Sequence, residues 1–170
     1  MILNLQVRLY PTKQMRTYLE SQCDYRRYCW NKALSVWNDI YDQRVIALPK
    51  ELKLKIKDNL TDKNIRFTEE ELNLRKRFPS PTERIVRDEL VAHKSDWEYE
   101  NSSRVLQLAV KDLSNTWNQF LKKSQENSGK PKFKSRKNTK QGFKTDKACI
   151  KRGRLRLDKP ITYTGQWESI

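Results

Sequence analysis

Between Lys130 and Lys159 the chain carries thirteen Lys or Arg and two Asp. The stretch GKPKFKSRKNTKQGFKTDKACIKRGRLRL, residues 129–157, places a basic residue at almost every second position and threads Phe133 and Phe143 among them. Lys130, Lys132, Lys134, Arg136, Lys137, Lys140, Lys144, Arg152 and Arg154 are therefore candidates for contacts with many phosphates. The two phenylalanines could stack on unpaired bases or pin the stretch to the rest of the protein. A solvated basic tail would share this composition, but strand-like spacing and apolar anchors count against it.

The whole chain has 170 residues, 36 Lys plus Arg against 21 Asp plus Glu, and a net charge of +15, so a polyanionic partner is expected. Arg26 and Arg27 lie beside Tyr25 and Tyr28. Arg26, on or beside the apolar face, could be a snorkelling side chain or a reader of a nucleic-acid backbone, and Arg27 is a candidate contact next to it. Catalysis finds little support. A two-metal nuclease needs carboxylates converging from different elements, whereas Asp39, Asp42, Glu69, Glu70, Glu71, Asp88 and Glu89 are spaced as solvated helix faces. With four glycines the chain has no phosphate-cradling loop, and its single histidine is His93. No enzymatic activity and no cofactor are expected.

Cys23, Cys29 and Cys149 are an odd number without a CxxC pair, which argues against a disulfide framework or a zinc site. Reduced thiols in the cytoplasm are the expectation. No window approaches the ~18 apolar residues of a membrane span, and the N-terminus lacks the pattern of a secretion signal.

The elements that must position these groups follow from periodicity. Residues 2–9 alternate apolar and polar, which predicts a half-buried strand. Met15, Leu19, Cys23, Trp30, Ala33, Leu34, Trp37, Ile40 and Tyr41 recur at helical steps, which predicts a helix over 12–44. Residues 45–67 have no clear pattern. Helix starts are predicted at Thr68 and Thr82, the second helix carrying Ile85, Val86, Leu90 and Trp97. A second long helix is predicted over 102–126, with Leu106, Ala109, Val110, Leu113, Trp117, Phe120 and Leu121 on one face and Gly129 and Pro131 as its stop. Beyond it, GFKT, ACIK and RLRLD read as strands. A lone first strand needs backbone partners, so pairing with these later strands is expected, making the helices an insertion into a small β-domain.

Four segments in order, LQVRLYPTKQ (5–14), WNKAL (30–34), VLQLAVKDLSNTWNQFLK (105–122) and GKPKFKSRKNTKQGFKTD (129–146), resemble the N-terminal half of TnpB, also called OrfB. That family comprises transposon-encoded RNA-guided nucleases related to compact type V CRISPR effectors. The resemblance implies an α+β fold: a small oligonucleotide-binding-like (wedge) β-barrel split by an inserted α-helical recognition lobe. The implied boundaries are 1–11 for the first wedge strand, 12–128 for the helical lobe and 129–170 for the basic remainder of the wedge. The implied ligands are structured guide RNA and an RNA–DNA heteroduplex with target DNA. Tyr10, Lys13, Lys32, Lys132, Phe133, Lys134, Arg136, Lys137, Lys140 and Phe143 occupy the matching motif positions.

The departures matter equally. The family's RuvC-like catalytic domain, with three acids and a zinc finger, has no counterpart in these residues, so this chain is not expected to cut. The ending LDKPITYTGQWESI departs from the family's Leu-Pro-Lys run, and 45–80 matches nothing in it. A nuclease-less nucleic-acid-binding module is the leading reading. A competitor or partner of an RNA-guided nuclease, or of the chain's own missing C-terminal half, is the rival, with a DNA-binding repressor third.

Overall fold

The computed structural model describes residues 10–122, 129–137, 141–151 and 154–157, with side chains of 149–156 outside the description. Its backbone is a long helix, α1 (Lys13–Ala47), followed by α2 (Lys50–Asp58), α3 (Glu69–Arg77), α4 (Glu83–Ala92), a 3-10 turn (Asp96–Glu100), α5 (Ser103–Lys122) and a hairpin of β1 (Cys149–Lys151) and β2 (Arg154–Arg156).

Helix α1 is long because nothing interrupts it: no Gly or Pro falls between Lys13 and Ala47. Thr12 caps its start, its hydroxyl accepting from the Met15 N–H at 3.3 Å. Pro49 follows its end, where the residue before a proline disfavours helical geometry. Thr68 and Glu71 form a reciprocal capping box on α3, and Thr82 caps α4. Both starts fall where the sequence predicts them. The unassigned KELKLKIK becomes α2.

The core is helix on helix. Tyr25, Cys29, Ala33, Leu34 and Trp37 of α1 pack against Val105, Leu106, Ala109, Val110, Leu113 and Trp117 of α5, with Val86 and Leu90 of α4 closing one side. Trp37 and Trp117 stack with ring centroids 5.9 Å apart and planes 10° apart. Helices α2 and α3 contribute nothing to this cluster. A Lys55–Glu71 ion pair at 2.6 Å ties them to one another.

Three expectations change. The oligonucleotide-binding-like barrel, and with it the α+β class of a β-barrel split by helices, is contradicted: the described residues are predominantly helical. Their only ladder is the hairpin, pairing Cys149 with Arg156 and Lys151 with Arg154. The described residues supply two short strands, not the five of such a barrel. The physical reason is that side chains of the helices, not neighbouring strands, take backbone groups of Lys132, Lys134 and Gly142; GFKT is accordingly irregular chain. The strand predicted over 2–9 lies outside the described residues. Trp97 is not on α4, which ends at Ala92 with His93 as its C-cap, and sits instead in the 3-10 turn. Tyr41, on the predicted apolar face, is exposed.

Candidate nucleic-acid interface

Residues 129–137 and 141–147 are held against the helices by side chains of α1 and α5. The Trp30 indole N–H donates to the Lys132 carbonyl at 3.0 Å. The Asn31 carboxamide takes both backbone groups of Lys134, accepting from its N–H at 2.8 Å and donating to its carbonyl at 3.0 Å. Asn31 thus replaces the partner a sheet would have supplied. Pro131 is buried, and Phe143 packs on the helical core. Arg104 of α5 grips both carboxylate oxygens of Asp146, the lone acid of 129–157, through Nε and Nη2. One group of side chains therefore fixes the path of the basic segment.

Several predicted contact residues are engaged in bonds within the protein, Arg26, Arg27 and Lys144 in holding the basic segment and Lys32 in holding the 3-10 turn. Arg26 donates to the Gly142 carbonyl at 2.9 Å and to Asp112 at 2.7 Å. Lys144 reaches the other oxygen of Asp112 at 2.8 Å. Burial pushes the Asp112 carboxyl up, but hydrogen bonds from Lys144 and Arg26 outweigh it and hold the pKa below the ordinary value. Arg27 bridges Gln141 at 3.1 Å and Asp24 at 2.7 Å. Lys32 donates to Glu98 and to the His93 carbonyl, each at 2.9 Å. Glu98 is fully buried, and its Oε1 also accepts from the Tyr28 hydroxyl and the Ser95 N–H, each at 3.2 Å. Burial alone would raise the Glu98 pKa; the Lys32 and Ser95 bonds lead the groups that bring it below the usual carboxylate value. Lys134 is half-buried with its ammonium 3.7 Å from the Trp30 ring centroid.

A second set points outward. Lys130, Lys132, Phe133, Arg136 and Lys137 are all exposed, Phe133 by 62%. Lys130, Lys132 and Lys137 have no ion pair among the described residues, and Arg136 approaches Asp24 only at 4.0 Å. Lys130 lies 5.5 Å from the Trp117 ring centroid. Four cations around one exposed aromatic, on a backbone held by Trp30 and Asn31, can contact successive phosphates and stack a base. Tyr10 and Lys13 are exposed at the start of α1. Lys140 and Arg152 lie outside the described residues, and Arg154 is placed only as backbone of β2.

Sequence reasoning missed Trp30, Asn31, Asp112 and Arg104 as the residues that position the strip. Asp112 had a signal: it sits beside the core positions Ala109 and Leu113, an unfavourable place for an unpaired carboxylate. Burial raises the Cys29 thiol to about 12 and also raises Cys23, so both are held as thiols and not as reactive thiolates. Among the described residues no cluster of His, Cys, Asp or Glu could hold a metal ion, and no helix is long and apolar enough to cross a membrane.

A family model described as a helix-turn-helix domain, of the OrfB IS605 type, matches residues 1–45. This match supports an OrfB/TnpB-type transposase N-terminal region. A nucleic-acid-binding role is supported with it, and such a domain is a binding module and not a catalyst. No curated protein and no solved structure matches the chain. The OrfB-type match covers most of α1, the helix that carries Trp30 and Asn31. A helix-turn-helix needs two helices joined at a steep angle by a short turn. Residues 13–45 are one unbroken helix, so that turn is absent from the described part of the match.

Proposed function

We propose that this protein is a non-catalytic module that binds structured RNA of the guide-scaffold kind through the strip 130–137, with the helical core as its support. The observation that carries this reading is the outward set of exposed cations around Phe133, on a backbone held by Trp30 and Asn31. The OrfB-type match supports nucleic acid as the ligand class, and the order of the four sequence segments supports RNA. An RNA–DNA heteroduplex fits the same surface, because backbone contacts carry no base identity.

The test is a salt titration of binding to an RNA transcribed from the surrounding locus, with a duplex DNA of equal length for comparison. Replacing Lys130, Lys132, Arg136 and Lys137 by Gln should lower the slope of log affinity on log salt by about three, at ~0.7 per lost phosphate contact on single strands. Its melting temperature should stay that of the wild type. An unchanged slope would remove the strip from the interface, and equal affinity for duplex DNA would remove RNA as the preferred ligand.

A further inference from the structure

Behind the exposed strip, three cations from two segments of chain line one small cleft of about 110 Å³. Helix α1 contributes Arg26 and Arg27; the basic segment contributes Lys134, Ser135 and Gly142. The space exceeds the ~30 Å³ share of one water and falls below the ~300 Å³ at which pockets for drug-sized molecules begin. A tetrahedral oxyanion fits that range.

The charges around it are incompletely answered. Asp112 accepts from Arg26 Nη2 and Asp24 accepts from Arg27 Nη2, each at 2.7 Å. Lys134 has no ion pair among the described residues, and its ammonium meets only the Trp30 ring. Ser135 adds a hydroxyl on the same wall, whose oxygen also accepts from the Lys137 N–H at 3.2 Å.

We infer that this cleft seats one phosphate of a nucleic-acid backbone, with the Lys134 ammonium and the Ser135 hydroxyl as donors and the Arg26 and Arg27 guanidinium groups adding positive charge to its wall. The inference rests on the nucleic-acid reading above and gives it a fixed point, since one inserted phosphate sets the register of the strand along the outward strip. Burial, followed by repulsion from Arg26, lowers the Lys134 pKa. An anion in the cleft relieves the second of these.

The test follows the backbone amide signals of Ser135 and Gly142 in the whole chain as inorganic phosphate is added, with chloride at matched ionic strength as control. Saturable shifts with phosphate alone are expected. Lys134→Met, which keeps a chain of similar length over Trp30 and removes the charge, should abolish them, while the four-Gln variant should keep them. A short RNA should displace the phosphate, and Lys134→Met should lower the RNA salt slope by about one. Shifts that fail to saturate in the wild type overturn the inference and leave the strip standing if the four-Gln variant still loses RNA. Saturable phosphate that RNA cannot displace assigns the cleft to a free oxyanion and overturns the backbone assignment.

Discussion

The basic residues of α1 and those of the segment 129–137 look alike in sequence and differ in what surrounds them. Arg26, Arg27 and Lys32 each meet a carboxylate within 3 Å, on Asp112, Asp24 and Glu98. Lys130, Lys132 and Lys137 meet none among the described residues, because Asp146, the one acid of 129–157, is taken by Arg104. A cation with a close ion partner ties parts of the fold together; a cation without one leaves its charge open to solvent. Density of charge therefore points to the partner class, while pairing sorts the cations into those inside the fold and those on its surface.

Substitutions in the two regions should separate accordingly. The largest effect belongs to the core beneath both: Trp117→Ala removes a buried ring stacked on Trp37, and should cost about 3–5 kcal/mol in urea unfolding. Next is Lys32→Met, which strands the buried Glu98 charge and should cost about 3 kcal/mol at neutral pH. Its pH dependence has a definite sign. A carboxyl held below its unfolded pKa binds fewer protons when folded, so its contribution is present above the ordinary value near 4.3 and is lost as pH falls through the folded pKa. The gap between wild type and Lys32→Met should accordingly narrow below about pH 4 in acid-unfolding curves.

Asn31→Ala should come third, at about 1–3 kcal/mol, because it leaves the Lys134 backbone groups without partners. Trypsin cleavage within 129–137 should quicken even where the helices stay folded, and an unchanged cleavage rate would show that the segment is held by other contacts. Smallest for stability is Phe133→Ala, within about 0.5 kcal/mol because the ring is exposed. The same substitution should weaken single-stranded RNA by about 1–3 kcal/mol if the ring stacks a base. A stability loss as large as that of Asn31→Ala would move Phe133 from the second region to the first.

Much of the helical frame was legible beforehand. The predicted 12–44 and 102–126 correspond to α1 and α5, because burial at steps of three and four leaves an unmistakable stripe and Thr12 marks the start of α1. The 3-10 turn was not legible, since Trp97 continues the apolar spacing of α4 although the helix has ended at Ala92. Nor was the failure of the barrel. Short runs such as GFKT have strand-like composition, but β-propensity describes a fit to neighbours more than an intrinsic preference, and the neighbours here are helices.

From composition and order alone came a polyanionic partner, two long helices and the basic segment, because net charge and periodicity are local properties that survive any arrangement of the chain. The division of labour among the cations belongs to the tertiary structure. Arg26 and Asp112 are far apart in the chain, as are Lys32 and Glu98, and Asn31 and Lys134. Only packing α1 against α5 and laying the segment across them decides which charges are neutralised at short range. In a medium where the strength of a charge depends on distance and burial, that decision separates the cations held in ion pairs within the fold from those left exposed.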